Sequence, residues 1–357
     1  MAFLGWLLAS TAAVFGFLAA CTLRLSLPEP PGERLAVCLQ ESFAQGLRPM
    51  ALRPEQEVFR DIRPTDAGYS CRYGFKNFNG DKLTLEAELD GEAVAASARE
   101  FGFRKEDFDR IDAWYQQAQK DTIARAKELF FSGKVTAKSQ EELEGKMRDI
   151  KARNQRVQKE LDETLAALGA EYKSRRVELY RSTGFHFQSE HVVEADMPEL
   201  ARRNAARVRS VAQAFSRIAS ERGYGSEELV GAVTAMAQTA LRYEFPGDYI
   251  GGKYVAGVLP PPKALAEGQG DCASKSALIA SILESWPNLK LVGLEIPEHY
   301  LLAIHRLPRR GDVFIEHEGL PYIMIESAGP AWLSPGQVGD TTMSYLESGK
   351  QFRIQPM

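Results

Sequence analysis

The stretch GDCASKSAL at residues 270–278 decides the fold of the C-terminal half of the chain, because it predicts a turn that leads directly into a helix. Asp271 is one of the residue types that cap helix N-termini well. After it, Leu278, Ile282 and Trp286 recur every fourth residue, which places them on one side of a helix. The stretch therefore predicts a helix with one apolar face that begins directly after Asp271.

The first turn of this helix contains Cys272. The first backbone N–H groups of a helix have no partner within the helix, and together with the helix dipole they favour an anion. A thiol at this position therefore ionises more readily than a free cysteine, as a nucleophile requires. The alternative is a small residue buried at a helix start, since free cysteines are commonly buried.

The composition describes a folded chain of 357 residues, long enough for two or three domains. Apolar residues make up 44% and charged residues 26%, the balance of a globular protein. A net charge of −4 without a basic run argues against nucleic-acid binding. The four cysteines form no CxxC motif and the five histidines no HExxH motif, so we expect neither a metal nor an organic cofactor.

The N-terminal segment, residues 1–24, reads as a signal anchor or a lipoprotein signal. Residues 2–23 carry no charged side chain and are long enough to span a bilayer as a helix. The run LAAC at residues 18–21 resembles a bacterial lipobox with Cys21 as the acylated residue. Arg24 follows the run and no Lys or Arg precedes it, the reverse of the usual charge order. We still expect export, with the body of the protein on the periplasmic, extracytoplasmic side of a bacterial membrane.

A small β-rich region is predicted over residues 32–103. Its first part, residues 35–47, has the pattern of a short helix. Residues 69–78 and 82–89 have the pattern of strands, and the turn signal Asn79-Gly80 lies between them. The region is therefore expected to contain a β-hairpin.

Cys38 and Cys71 are the two cysteines of this β-rich region. In an oxidising compartment they are natural partners for one disulfide. Two separate buried thiols are the alternative, and the sequence leaves both open.

A long helical hairpin is predicted over residues 104–182. Its first helix runs to about residue 131 and carries an apolar stripe with three- and four-residue spacing. The run Ser139-Gln140-Glu141-Glu142 then has the pattern of a capping box that opens a second helix, which extends to about residue 181. The second helix has a heptad seam formed by Leu143, Met147, Ile150, Asn154, Val157, Leu161, Thr164 and Leu168.

Asn154 is a polar position in this seam and can fix the register of the two helices. We expect the helices to bury the seam within one chain, because the first helix carries a matching stripe. The alternative is a coiled-coil arm that binds a protein partner or a second copy.

The C-terminal region, residues 190–357, is expected to be an α+β domain. Helices are predicted at residues 198–222 and 226–241. After the Cys272 helix, turns separate four strand-like runs at residues 289–296, 300–307, 312–317 and 321–327. The order predicts helices packed on an antiparallel sheet.

An ordered set of motifs within residues 227–338 resembles the bacterial transglutaminase-like cysteine proteinases, members of the papain-like thiol enzyme superfamily. The matching pieces are Gln238 with residues 241–243 (LRY), residues 260–265 (PPPKAL), the stretch at 270–276, His299, residues 322–327 (YIMIES) and Gly339. The set covers about a third of the chain. The resemblance implies a papain-like, transglutaminase-like fold and thiol chemistry on amide bonds.

Three features of the sequence depart from the pattern of this family. Ser274 stands where the family often has an acidic residue, and Ser327-Ala328 replaces a run rich in hydroxyl groups. Glu326 stands where many relatives in the wider superfamily carry Asp. None of these changes removes a group that the chemistry requires, but the first two leave substrate binding open.

Thiol catalysis needs a base near the sulfur and a third group that orients the base. His299 begins one predicted strand and Glu326 ends another. If these strands pair, both side chains reach the same edge of the sheet, facing the Cys272 helix. We therefore predict Cys272 as nucleophile, His299 as base and Glu326 as orienting acid. The backbone N–H of Cys272 and the side-chain amide of Gln238 are the expected oxyanion hole.

Each of these residues also has a simpler interpretation. In this interpretation, His299 is an exposed loop residue and Glu326 is a charge at a strand end. Gln238 is then a surface residue on a helix. His305 shares the strand parity of His299 and competes with it for the role of base, whereas His317 lies beside a turn.

The sequence thus predicts a membrane-anchored, extracytoplasmic thiol enzyme that acts on amide bonds. Peptidase or amidase activity and transglutaminase-type acyl transfer share every step up to the resolution of the thioester, so the residues do not separate them. The substrate is expected to be a protein or a cell-wall peptide. The alternative is a catalytically idle scaffold protein that binds a partner through its helical hairpin.

Overall fold

The computed structural model describes residues 58–189 and 192–357, and its fold is α+β, as expected. Helices pack on an antiparallel sheet in the C-terminal region. The predicted membrane segment, the helix at residues 35–47 and Cys38 lie outside the described residues. Within the described part of the chain, no helix has the length and apolar character needed to cross a membrane.

Fourteen strands and nine helices are present in the described residues. The strands are β1 Phe59–Thr65, β2 Gly68–Lys76, β3 Lys82–Asp90, β4 Phe185–Ser189, β5 Val192–Ala195, β6 Arg242–Tyr243, β7 Tyr249–Ile250, β8 Lys253–Tyr254, β9 Gln269–Gly270, β10 Leu291–Ile296, β11 His299–His305, β12 Phe314–His317, β13 Leu320–Ile325 and β14 Arg353–Pro356. The helices are α1 Gly91–Glu100, α2 Lys105–Leu129, α3 Gln140–Ser182, α4 Met197–Ala205, α5 Arg209–Arg222, α6 Ser226–Ala235, α7 Pro261–Glu267, α8 Cys272–Leu283 and α9 Asp340–Glu347.

The N-terminal part of the described chain is a three-stranded antiparallel sheet in the order β1-β2-β3. In β3, buried and exposed residues alternate along its whole length, because one face packs on the core and the other faces water. The predicted turn Asn79-Gly80 joins β2 to β3, and Gly80 has a φ of 98° that favours glycine. Cys71 lies in β2 and its thiol is buried. Because Cys38 lies outside the described residues, the disulfide stays a prediction.

This sheet and the C-terminal region share one hydrophobic core. Tyr73 and Phe75 of β2 belong to the same buried cluster as Phe215 of α5 and Leu278 of α8. The hydroxyl of Tyr73 donates a hydrogen bond of 2.5 Å to the carbonyl of Leu265, in the segment before the nucleophile turn. The β-rich region therefore packs directly on the elements that carry the candidate site.

The helices α2 and α3 form an antiparallel hairpin within the chain. Tyr115 of α2 stacks on Tyr172 of α3 with ring centroids 4.5 Å apart, and the Tyr172 hydroxyl donates to Asp112. The Oδ1 of Asn154 accepts a hydrogen bond from the backbone N–H of Phe131, just beyond the end of α2. The polar seam residue therefore fixes where the hairpin closes.

The predicted heptad seam holds only in the middle of α3. Val157 and Leu161 are buried, but Thr164 is exposed and Leu165 takes its place against the cluster. A straight helix drifts by about 20° per heptad, so a strict seven-residue pattern leaves the contact face. Met147 is 39% exposed, because residues before Asn154 extend beyond the end of α2.

The C-terminal sheet is antiparallel and has the strand order β12-β13-β11-β10-β14. The four predicted strands are present with shorter bounds, and β14 at the edge was not predicted. One face carries Tyr300 and Leu302 in the large core with α8. The other face carries Leu301 and Met324 in a smaller cluster, against which α9 packs.

Three predicted helices have different bounds in the structure. Residues 198–222 form α4 and α5 with a 3-10 turn, Ala206–Val208, between them. The helix predicted at 226–241 leaves α-helical geometry after α6 and continues as a π-turn, Met236–Ala240. The nucleophile helix α8 ends at Leu283, so Trp286 packs on the core from the following turn; Pro287 disfavours helical geometry in the residue before it.

Leu161→Ala tests the packing of the hairpin. Leu161 is buried between α2 and α3, so its truncation should lower the free energy of unfolding by about 2 kcal/mol. Leu129→Ala is the matched control, since Leu129 is 49% exposed at the end of α2 and its truncation should cost much less. Urea denaturation followed by circular dichroism measures both. Equal losses would contradict the hairpin packing.

Candidate active site

Cys272 is the first residue of α8 and lies at the start of a fully buried helix. Asp271 caps the helix, because its Oδ1 accepts a hydrogen bond of 2.8 Å from the backbone N–H of Ser274. The first intrahelical bond runs from the N–H of Lys275 to the carbonyl of Asp271, at 3.0 Å. The N–H groups of Cys272 and Ala273 precede this bond, so they lie at the positive end of the helix dipole as predicted.

The sulfur of Cys272 lies against the peptide bond that joins His299 to Tyr300. The backbone N–H of Tyr300 donates a hydrogen bond to Cys272 Sγ, with nitrogen and sulfur 3.3 Å apart. Since α8 packs on β11, the first turn of the helix meets the first residues of this strand. The predicted nucleophile and the predicted base are therefore neighbours.

His299 and Glu326 form a fully buried hydrogen bond, with Nε2 and Oε1 2.9 Å apart. The antiparallel pairing of β11 with β13, in which Leu302 lies opposite Ile325, brings the start of one strand next to the end of the other. Because Glu326 occupies Nε2, the ring nitrogen that remains for the thiol is Nδ1. The structure thus joins His299 to Glu326, and the sulfur of Cys272 contacts the residue directly after His299.

Glu326 is held by further donors on both of its oxygens. The hydroxyl of Thr342 in α9 donates to Oε2 at 3.1 Å, and the N–H of Ala328 donates to Oε1 at 3.3 Å. Burial by itself raises the pKa of Glu326. The charge and hydrogen bond of His299, with the two further donors, outweigh this effect and hold the pKa below its usual value of 4.5. The carboxyl is therefore ionised at neutral pH.

The His299–Glu326 pair lies on the other side of the sheet from the one predicted. His299 is paired with Ile296 of β10, and directly paired residues share a face. Ile296 belongs to the cluster on the α9 side, and Thr342 of α9 bonds to Glu326. We expected the two side chains to face α8, and instead they lie on the α9 side. The sulfur of Cys272 meets the start of β11 at the N–H of Tyr300.

Gln238 does not supply an oxyanion donor, which corrects the prediction. Its side-chain nitrogen donates to the carbonyls of Glu326 and Leu333, at 2.6 and 2.9 Å, so both N–H groups are used. Its Oε1 accepts from the N–H of Leu333 at 2.9 Å. Gln238 lies in the π-turn, where the sequence pattern of a regular helix gives no indication of its direction.

The segment after Glu326, which includes Leu333, approaches the π-turn very closely at Gly329. A Cβ atom at this position would lie 2.1 Å from the carbonyl oxygen of Gln238, so only glycine fits without a shift of backbone. Gln238 and Gly329 therefore hold together the π-turn and the segment that follows Glu326.

Two serines that the sequence analysis did not assign connect the nucleophile to the acid strand. Ser327 Oγ donates to the carbonyl of Cys272 at 3.1 Å and lies 2.6 Å from Ser276 Oγ. Both side chains are fully buried. In the sequence, Ser327 stands out only as a departure from a hydroxyl-rich run, and its position next to Glu326 is the available signal. Thr342 had no signal, because it comes from a helix that was not predicted.

The other histidines that the structure describes are not at the site. His305 lies at the far end of β11, about 20 Å from His299 along the strand, and its Nδ1 donates to the carbonyl of Pro321. His317 ends β12 at the turn before β13. His186 bonds to Glu194 at 2.9 Å, and this hydrogen bond raises its pKa. His191 lies outside the described residues.

Within residues 58–189 and 192–357, no group of three or more His, Cys, Asp or Glu side chains is arranged to hold a metal ion. Comparisons of the chain with protein-family models, with curated proteins and with solved structures find no match. The family resemblance therefore stays a prediction, and the geometry described above is the basis for assigning the site.

Gln238→Leu tests the structural role of the amide. The substitution leaves the buried carbonyl of Glu326 and the half-buried N–H and carbonyl of Leu333 without their partner, so we expect the free energy of unfolding to fall by about 2–4 kcal/mol. Gln213→Leu, at an exposed position of α5, is the matched control and should change it little. A Gln238 variant with unchanged stability in urea denaturation would contradict this role.

Acidification should weaken the fold through Glu326. Because its pKa is lower in the folded than in the unfolded chain, the carboxylate stabilises the fold above about pH 4.5 and loses this effect as the pH falls through the folded-state value. Between about pH 6 and about pH 3, the free energy of unfolding of the parent should therefore fall more steeply than that of Glu326→Gln.

Urea denaturation at a series of pH values measures this difference. Glu316→Gln, at an exposed position in β12, is the control and should keep the slope of the parent. Identical slopes for the parent and Glu326→Gln would show that the folded-state pKa of Glu326 is not depressed.

Proposed function

We propose that this chain is a transglutaminase-like thiol enzyme that acts on amide bonds, with Cys272 as nucleophile, His299 as base and Glu326 as orienting acid. The observation that carries the proposal is the buried His299–Glu326 hydrogen bond at the strand end where Tyr300 N–H contacts the sulfur of Cys272. A nucleophile, a base and a group that orients the base are the parts that thiol catalysis needs.

In the first step, His299 Nδ1 takes the proton of Cys272 Sγ, and the thiolate attacks the carbonyl carbon of the amide. A C–S bond forms and the carbonyl oxygen becomes an oxyanion. The backbone N–H groups of Cys272 and Ala273, at the N-terminus of α8, are the donors we assign to this oxyanion. They replace the amide of Gln238, whose N–H groups are already bonded.

In the second step, the protonated His299 gives its proton to the amide nitrogen, the C–N bond breaks, and an amine leaves. The product on the enzyme is a thioester at Cys272. Water or an amine then attacks the thioester carbon while His299 accepts its proton, and the sulfur leaves and is reprotonated. Water gives a carboxylic acid and an amine gives a new amide, so peptidase and acyltransferase activity share this site.

Glu326 supports both steps by its charge and by its hydrogen bond. Its depressed pKa keeps it ionised at neutral pH, so it stabilises the imidazolium that forms when Cys272 loses its proton. Its bond to Nε2 fixes the ring so that Nδ1 is the nitrogen available to the thiol. Thr342 and Ala328 in turn fix the carboxylate.

The proposal also includes the fold family of the C-terminal domain and the location of the protein in the cell. A Cys at the N-terminus of a helix that packs on an antiparallel sheet, with a His and an acid on neighbouring strands, is consistent with a papain-like, transglutaminase-like domain. The uncharged residues 2–23 support a membrane anchor or lipoprotein signal and an extracytoplasmic location. A protein or a cell-wall peptide is the substrate class that such a location favours.

Alkylation of Cys272 by iodoacetamide tests the proposal. The probe is small, as it must be for a thiol that is fully buried. In the parent protein, the rate of alkylation should stay appreciable below about pH 8.5, the pH at which an ordinary thiol is half ionised. His299→Ala should slow labelling near neutral pH by about tenfold, because the thiolate loses its cationic partner. Glu326→Gln should slow it less, because nucleophile and base remain.

His305→Ala is the matched control, since it removes a histidine from the far end of the same strand and should change little. Mass spectrometry of the peptide that contains Cys272 separates this thiol from the other cysteines. If Cys272 of the parent labels like an ordinary thiol, or if only the His305 variant loses reactivity, the assignment is wrong. The function as an idle scaffold that works through its helical hairpin would then be favoured.

A further inference from the structure

Lys275 is a fully buried lysine in the first turns of the nucleophile helix. It lies three residues after Cys272 and four after Asp271, and residues at these spacings are neighbours on one side of a helix. Its ammonium donates a hydrogen bond of 2.9 Å to the carbonyl of Leu241. Lysines are almost never fully buried without a partner, because removing the charge from water is costly.

The charged and titratable groups around this ammonium come from three elements. Asp271 caps α8 and Cys272 begins it, Arg60 comes from β1, and the ring of Tyr243 in β6 lies 5.8 Å from Nζ. Asp271 and Cys272 attract the ammonium when they are ionised, whereas Arg60 repels it. The charge on Cys272 is therefore coupled to the charges on Lys275 and Asp271, two buried groups that do not take part in the proposed steps.

We propose that Lys275 is a positioning residue that acts through its charge: its buried ammonium stabilises the thiolate of Cys272, and the carboxylate of Asp271 opposes this effect. The inference rests on the proposed function of the site. No proton passes between Lys275 and the substrate; when Cys272 gives its proton to His299, the new negative charge on sulfur faces an ammonium instead of apolar surroundings.

The ionisation of the cluster supports this inference. Burial lowers the pKa of Lys275 to about 7, against the pull of Asp271 and Cys272. Burial raises the pKa of Asp271 to about 7, although the N–H and hydroxyl of Ser274 oppose the rise. Burial therefore opposes the charge of both groups, and each charge favours the other.

The hydrogen bond of Lys275 also fixes the helix in place. Leu241 directly follows the π-turn, which carries Gln238 and so holds the carbonyl of Glu326. Arg60 donates to the carbonyl of Ala240 in the same turn, at 3.1 Å. The ammonium thus lies where the nucleophile helix and the segment that supports Glu326 are joined.

The test compares Lys275→Met and Asp271→Asn by the pH dependence of Cys272 alkylation with iodoacetamide. Lys275→Met removes the positive charge and should move the labelling midpoint upward by about one pH unit. Asp271→Asn removes the negative charge but keeps a residue that caps helices well, and should move the midpoint downward. A purely structural role of the two residues would move both midpoints toward that of an ordinary thiol.

Lys290→Met removes an exposed lysine just before β10 and is the control for net charge. If the parent and His299→Ala behave as the proposed enzyme should, but Lys275→Met and Asp271→Asn leave the midpoint unchanged or move it the same way, this inference is wrong and the proposed function stands. If the parent midpoint is that of an ordinary thiol, both are overturned. Should Lys275→Met fail to fold, the downward shift in Asp271→Asn decides the matter alone.

Discussion

Every residue of the helix Cys272–Leu283 is buried, and this burial forces the polar groups near its N-terminus to find partners inside the protein. Ser274 accepts from the N–H of Leu259, Ser276 meets Ser327, and Lys275 donates to the carbonyl of Leu241. Each partner comes from a different part of the chain. The position of the first turn is therefore set by long-range hydrogen bonds, and the thiol has one place relative to the sheet.

The same constraint extends to the acid side of the site through the π-turn. The carbonyl of Ala240, in this turn, accepts a hydrogen bond from Arg60. The carbonyl of Leu241, directly after the turn, accepts one from Lys275. The turn also carries Gln238, which holds the chain after β13. The last carbonyls of any helix lack partners within it, so the end of this turn leaves acceptors for side chains from elsewhere. One short segment thus connects the nucleophile helix, the acid strand and the three-stranded sheet.

Local patterns predicted the parts of this architecture that depend on near neighbours. The cap at Asp271 and the strands that hold His299 and Glu326 follow from capping chemistry and apolar runs, and in the structure His299 bonds to Glu326 beside the strand residue that contacts the sulfur of Cys272. The direction of Gln238, the face that carries His299 and the contact of Thr342 depend on a π-turn, on strand register and on an unpredicted helix. These are decided by tertiary packing, so no window of sequence around each residue contains them.

The two faces of the sheet contribute different parts of the site. The sulfur belongs to the layer built on the large core, whereas the imidazole and carboxylate contact the layer of the smaller cluster with α9. Looser packing in one layer therefore displaces the sulfur relative to the imidazole and the carboxylate. The thiol chemistry proposed for this site requires their alignment, so a substitution in either core can lower the reactivity of Cys272 while the fold remains. We expect this reactivity to respond to changes in packing more sensitively than the melting temperature does.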